Sequence, residues 1–250
     1  MEYNANGIHI APCDKEAIDK LVSSGEWRWD ENKLIKCKKS KEEKIIEFNY
    51  LPQPYMGDPE QAEIFLLNGN PDAKEGPTVL SHEEFNNDHK GDILRSLKNM
   101  EEEYPLYALN PHFNDYYIQK WWNKKLCHLW KDAKSQKDIQ TAIQTVSKKV
   151  FVAEYFPYFS KNFNDVKDIE LDSQRYTFSL VKEAMDAGKK IIIMRAKKMW
   201  CNAMKKFYDI QNLEDYSHKL KNPRNVCISR GNMEDGVFND ILKLLKGETP

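Results

Sequence analysis

The sequence predicts an α/β fold, a three-layer α/β/α sandwich with a mostly parallel central sheet. Three observations carry this expectation. The runs Ile64-Phe65-Leu66-Leu67, Val150-Phe151-Val152 and Ile191-Ile192-Ile193 are apolar throughout, as suits strands buried on both faces. Strand-like segments alternate with helix-like ones along the chain. With 250 residues, 40% of them hydrophobic, the chain can bury one sizeable core.

Residues 1–50 are polar and lysine-rich, with a helix expected at DKEAIDKLVSSG and short strands at WRWDE and KIIEF. They read as an N-terminal extension packed on a main domain of residues 51–250, or else as a small separate module. LPQPYMGDP (51–59) holds three prolines and a glycine and reads as rigid loop. The first strand, Ile64–Leu67, is followed by a polar loop over 71–92 and a helix near ILRSLKNMEEE. The aromatic stretch 104–130 is expected to be helical in its second half, and KKVFVAEYF supplies the second strand. In QRYTFSLVKEAMDAG, Phe178, Val181, Ala184 and Met185 recur at helical spacing, and Gly188 is placed as a C-terminal cap. KKIIIMR is the third strand, KKMWCNAMKKFY a helix and YSHKLKNPRNVCIS an extended segment. The last helix is EDGVFNDILKLLKG, with Asn232 and Asp235 as capping candidates.

Composition narrows the function classes. Lysine plus arginine (38) balance aspartate plus glutamate (39), so nucleic acid would have to meet a local basic patch. Five dispersed cysteines (Cys13, Cys37, Cys127, Cys201 and Cys227) form no Cys-x-x-Cys pair, which argues against a disulfide framework, a zinc site or a cluster and suits a reducing compartment. No metal or other cofactor is expected. The opening MEYNANGIHIAPCDKE has neither a basic n-region nor an apolar h-region, and no apolar run approaches membrane-spanning length. A cytoplasmic monomer without membrane contact is the expectation.

In a parallel sheet the ligand sits beyond the carboxyl ends of the strands. Asn68–Asp72, Glu154–Tyr158 and Arg195–Lys198 fall there. The first of these raises a question, because Asn68-Gly69-Asn70-Pro71 suits either a plain turn or a strand end that offers an amide and bare backbone to a ligand.

Taken in order, LLNGNP (66–71), FVAEYFPY (151–158) and KNPRNVCISRGN (221–232) resemble the uracil-DNA glycosylase superfamily, most closely its single-strand-selective branch and prokaryotic relatives. That branch has Gly-x-Asn-Pro, Phe-Val-x-Asn-x-Phe-Pro and His-Pro-Ser-Pro-Arg-Asn-Pro. Asn70-Pro71, Phe151-Val152 with Phe156-Pro157, and Pro223-Arg224-Asn225 match, as ordered islands over roughly residues 51–248. The resemblance implies a glycosylase-like α/β domain, DNA as partner and no cofactor. It assigns Asn70 to positioning the attacking water, and Pro223, Arg224 and Asn225 to a loop that enters a DNA groove. The chain departs from the pattern twice. Leu220-Lys221-Asn222 stands where the motif histidine would, and Glu154 stands where the base-reading asparagine would.

A glycosylase must flip its base into a pocket, read the Watson–Crick edge and stabilise the departing charge. An ionised glutamate only accepts hydrogen bonds and would repel O4 of uracil; an exocyclic amine suits it. If burial raises its pKa, protonated Glu154 can donate to cytosine N3 and assist departure. The expected substrate is therefore a cytosine-type base, including modified forms that phages use to mask their DNA, in defence or repair. A rim glutamate paired with lysine or arginine is the plainer alternative.

Asn68, Gly69, Pro71 and Tyr155 are the other base-binding candidates of the strand ends. Tyr107 and Phe113 are candidates for stacking on the base, although aromatics in so ring-rich a chain also serve the core. Trp121 and Trp122 are assigned to the core, and His112 and His218 are candidates for the missing histidine. Arg195, Lys197, Lys198, Lys219, Lys221, Arg224 and Arg230 form a basic set, with Ser229, Gly231 and Asn232 as further phosphate donors and Asn222 in the loop. A solvated lysine face would look the same. Besides the glycosylase, a non-catalytic base- or nucleic-acid-binding module and an ordinary uracil-DNA glycosylase remain open. A small-nucleoside hydrolase has no supporting motif in this sequence.

Overall fold

A computed structural model describes residues 2–3, 8–37, 44–71, 103–111, 117–131 and 135–249. At the N-terminus β1 (Glu2–Tyr3) pairs antiparallel with β2 (His9–Ile10), and α1 (Lys15–Ser23) follows. Then come β3 (Trp27–Asp30), β4 (Lys33–Lys36) and β5 (Ile45–Glu47), which form an antiparallel meander. The strand β4 lies outside the expected set, its Leu34 and Ile35 being too short an apolar pair to stand out. Next are β6 (Tyr55–Met56) and β7 (Ile64–Asn68). The loop over 72–92, the helix near ILRSLKNMEEE up to residue 102, and Asp72, His112 and Phe113 lie outside the described residues.

The chain continues through α2 (Tyr117–Leu126), α3 (Gln136–Lys149), β8 (Val150–Glu154) and β9 (Phe159–Ser160). After these come α4 (Phe163–Val166), α5 (Asp172–Asp186), β10 (Lys190–Ile193) and α6 (Lys197–Tyr208). The last elements are β11 (Ser217–Lys219) and α7 (Val237–Leu245). Gly188 closes α5 at φ +68°, a left-handed conformation that side chains disfavour, and its N–H donates to Met185 O at 3.0 Å. No side chain caps α7. Gly236 stands at its start, and Asn232 is used elsewhere.

The architecture is mixed α/β, with a mostly parallel central sheet in the order β11-β10-β7-β8-β6. Its first four strands are parallel, and only β6, at the edge, runs against β8. Alternation along the strands separates two cores. Phe65, Leu67, Phe151, Ala153, Ile191 and Ile193 face α5, α6 and Ile18 of α1. Leu66, Val152, Ile192 and Met194 face Tyr107, Trp122 and Leu126 of α2, Val146 of α3 and Phe238 of α7. Burying each such side chain contributes about 1.5–3 kcal/mol before the cost of chain entropy.

β9 joins β5 as the last strand of the second sheet, β3-β4-β5-β9, so residues 159–160 complete a sheet begun by the N-terminal segment. A buried carboxylate adds to this junction. Asp14 accepts from Tyr158 Oη at 2.8 Å, from Ser173 N at 2.8 Å and from Ser173 Oγ at 2.7 Å.

Candidate functional site

From β7 the chain reaches β8 on one side, while β10 lies on the other side with β11 beyond it. Connections thus diverge around β7, which makes it a topological switch point, the place where open α/β sheets generally bind their ligands. The residues at those ends are Asn68, Glu154 and, just past β10, Arg195.

Asn68 and Glu154 are register partners on adjacent parallel strands, and Asn68 Nδ2 donates to Glu154 Oε1 at 3.0 Å. Both continue the row of Leu66 and Val152, so their side chains belong to the face covered by α2 and the turn at Tyr107. Glu154 is 3% exposed and Asn68 5%. Among the described residues the pair is only half satisfied: Glu154 Oε2 and Asn68 Oδ1 are buried and find no hydrogen-bond partner there. Burial pushes the Glu154 carboxyl up to about 8, against the smaller opposing effects of Asn68 and the Arg195 charge. At neutral pH the group therefore carries its proton, and Oε2 can donate. Asn68 is itself pinned, because its carbonyl accepts from the Trp200 indole at 2.7 Å.

The rest of the strand end is a braced turn. Asn70 Nδ2 donates to Pro71 O at 2.7 Å and to Ser160 O and Oγ at 3.0 Å each, tying the turn to β9. Its Oδ1 has no hydrogen-bond partner among the described residues and can accept from water. Gly69 O accepts from Phe156 N at 2.8 Å, and a Cβ at Gly69 would lie 3.2 Å from the Phe163 ring. Close approach of that ring, rather than a bare backbone offered to a ligand, explains the glycine. Pro71 is buried and accepts from Ser160 N at 3.3 Å.

The aromatic candidates divide by face. Tyr107 is buried in the layer that Glu154 faces. Tyr155, next in sequence to Glu154, points the opposite way because a strand alternates, and it packs against Phe163, Phe178 and Trp200. Gln174 Nε2 holds its carbonyl at 2.7 Å. Tyr155 therefore does not share a pocket with Glu154, which corrects its placement as a base contact. It lines a cleft of about 920 Å³ with Phe178, Arg175 and Phe207, whereas neither Asn70 nor Glu154 lines that cleft. Trp122 is buried core, while Trp121 is half-buried beneath the Lys125 ammonium at 5.3 Å.

The basic set also divides. Lys197 and Lys219 pair with Glu214, Lys221 pairs with Asp235 at 3.0 Å, and Arg230 lies over Phe238. Arg195, Lys198 and Arg224 are exposed with no carboxylate partner among the described residues. His218 Nδ1 meets Glu234 at 3.4 Å and lines a separate cleft of about 470 Å³, which none of Asn68, Asn70 and Glu154 lines. It does not stand in for a histidine at the Glu154 pair.

Residues 216–229, expected to be extended, form strand only over Ser217–Lys219 and fold as a loop from Leu220 onward. Lys221, Asn222, Pro223, Arg224 and Asn225 make an exposed tip. Asn232 braces its base, accepting from Asn222 N at 2.8 Å and donating to Asn225 O at 2.6 Å and Cys227 O at 3.0 Å. With its side chain committed in this way, Asn232 is a strut of the loop and not a phosphate donor. Asn222 Oδ1 likewise accepts from Arg224 N at 3.1 Å, an Asx-turn. Ser229 is half-buried, and its carbonyl accepts from Asn232 and Met233.

Lys125 is a residue that sequence reasoning missed. It is 8% exposed at the end of α2, and its carbonyl accepts from Ile228 N at 2.9 Å, joining that helix to the loop. Compared with family models, with curated proteins and with solved structures, the chain matches none. Among the described residues no group of three or more His, Cys, Asp or Glu could hold a metal ion. No helix among them is long and apolar enough to cross a membrane.

Proposed function

We propose that this chain is a monofunctional DNA glycosylase, built on a uracil-DNA-glycosylase-like fold and releasing a cytosine-type base to leave an abasic site. The observation that carries the reading is the buried, half-satisfied Asn68–Glu154 pair at the switch point. It presents one acceptor, Asn68 Oδ1, beside one donor, the protonated Glu154 Oε2. Cytosine offers the complement, N4–H to the amide oxygen and N3 to the carboxyl proton. In the same pose uracil would set its N3–H against that proton. Glu154 Oε1 is already occupied by Asn68, so the two side chains together read the edge, in place of both carboxyl oxygens.

The chemistry follows from these positions. The flipped base docks on the pair, and as the C1′–N1 bond breaks its electrons pass to the base. Glu154 gives its proton to N3, so the base departs neutral. Water accepted by Asn70 Oδ1 attacks C1′ and its proton restores Glu154. The exposed tip at Arg224 suits contact with the DNA backbone.

The test is to incubate the protein with DNAs containing uracil, cytosine, or hydroxymethylated or glucosylated cytosine, and to identify released bases by mass spectrometry. One released base is expected, abolished by Asn70→Ala and declining as pH rises through about 8, where Glu154 loses its proton. Binding without release from any DNA would favour the non-catalytic module, a reading supported by the commitment of the Asn70 amide to β9. Arg224→Ala is expected to weaken DNA binding and to reduce the slope of log K against log salt by about one unit. An unchanged slope would remove Arg224 from the backbone contacts.

A further inference from the structure

The loop behind the exposed tip carries a feature that the base-reading pair does not use. Cys127 opens the short 3₁₀ turn that follows α2, and Cys227 lies in the loop just behind the tip. Both thiols donate to one oxygen, Cys127 Sγ and Cys227 Sγ each lying 3.7 Å from Lys124 O. The two sulfurs are therefore at most twice that distance apart, and both are aimed at one point on the seam between helix and loop. The backbone fixes this seam: Ile228 N donates to Lys125 O at 2.9 Å, and Cys227 O accepts from Asn232 Nδ2 at 3.0 Å. Rotation about χ1, which swings a sulfur between staggered positions, is the motion that brings such a pair into bonding contact. Cys13, Cys37 and Cys201 share no acceptor in this way among the described residues. The two thiols also differ in access, since Cys127 is half-buried whereas Cys227 is 8% exposed. Burial, and next the Cys127 sulfur, push the Cys227 thiol up, which keeps it protonated and leaves Cys127 to meet an oxidant first.

We propose that Cys127 and Cys227 are an oxidant-sensitive thiol pair, closed by a peroxide to a reversible disulfide that fastens the loop to the end of α2. The Cys127 sulfur attacks one peroxide oxygen and the O–O bond breaks, leaving a sulfenic acid on Cys127 and one water. The Cys227 sulfur then attacks the Cys127 sulfur. The S–S bond forms as the S–O bond breaks, and the Cys227 proton leaves with the hydroxide as a second water. Two thiols are oxidised and one peroxide is reduced. A dithiol reductant reverses the bridge, as suits a disulfide formed transiently in a reducing compartment. That the bridge restrains a DNA-contacting tip rests on the glycosylase reading; the bridge itself does not.

The experiment treats the reduced full chain with a small excess of hydrogen peroxide, alkylates the remaining thiols and maps linked peptides by mass spectrometry without reductant. A Cys127–Cys227 linked peptide is expected, lost on adding dithiothreitol, while Cys13, Cys37 and Cys201 remain open to alkylation. Amide hydrogen exchange at residues 221–225 should slow by about tenfold in the bridged chain and recover on reduction. In Cys227→Ser the oxidation should stop at a Cys127 sulfenic acid, trapped by dimedone. Should that variant fail to fold, the wild-type peptide map decides alone. Cys127 passing to the sulfinic acid while Cys227 stays free, or Cys227 linked to another cysteine, would overturn the pair. Unchanged exchange in the bridged chain would overturn the fastening of the loop. Bridge formation without base release from any DNA would reject the glycosylase alone.

Discussion

Glu154→Gln is expected to stabilise the fold, by an amount that grows with pH, while abolishing base release. Burial raises the Glu154 pKa from 4.5 to about 8, so the folded chain holds this proton more tightly than the unfolded chain does. Its favourable contribution is complete below pH 4.5 and is lost as pH rises to about 8. At about 1.4 kcal/mol per unit, the ionisable side chain costs on the order of 4 kcal/mol at the upper end of that window. Glutamine keeps an oxygen for the Asn68 amide and has no proton to lose, so it avoids this cost. Urea unfolding of both chains between pH 4.5 and 8.5 should give curves that coincide at the acid end and diverge upward for the variant. Parallel curves would mean that Glu154 is not buried as a neutral acid. Greater stability with lost activity is the mark of a residue retained for function, because a stable core has no use for an unsatisfied carboxyl.

Asp14→Ala is expected to destabilise the chain by about 3–5 kcal/mol, since it strands the donors that converge on one buried carboxylate. Tyr158 is fully buried and would lose the acceptor of its hydroxyl, while Ser173, in the first turn of α5, would lose an acceptor for both its N–H and its Oγ. For a domain of this size the thermal midpoint should fall by roughly 10 °C. Tyr158→Phe removes one donor only and should cost less, and the double variant should cost less than the sum, because both changes act on one network. A wild-type midpoint for Asp14→Ala would show that the N-terminal segment is docked by its apolar contacts, Ile18 and Trp27 among them, without help from the carboxylate.

Several elements were legible because their signals are local. The apolar runs that become β7, β8 and β10 announced strands covered on both faces, and the helical recurrence of Phe178, Val181, Ala184 and Met185 announced α5 together with its glycine cap. The helix α3 also had a signal, although it went unread: Ser135 accepts from Asp138 N at 3.1 Å, ahead of Ile139, Ile143 and Val146 at helical spacing. Tyr155 was misplaced although strand alternation alone would have turned it away from Glu154.

By itself, then, the sequence determined the class of fold, the strand ends where polar residues gather and the unusual glutamate among them. These follow from periodicity and residue chemistry within a few positions of each other. Only the tertiary structure decided that Asn68 meets Glu154 across 86 residues, that Asn232 is a strut, that β9 completes the N-terminal sheet and that the Lys125 side chain is buried. Such pairings depend on which distant segments pack together and on what that packing removes from water. No local pattern records that choice, and the same packing converts an ordinary surface carboxylate into a neutral acid.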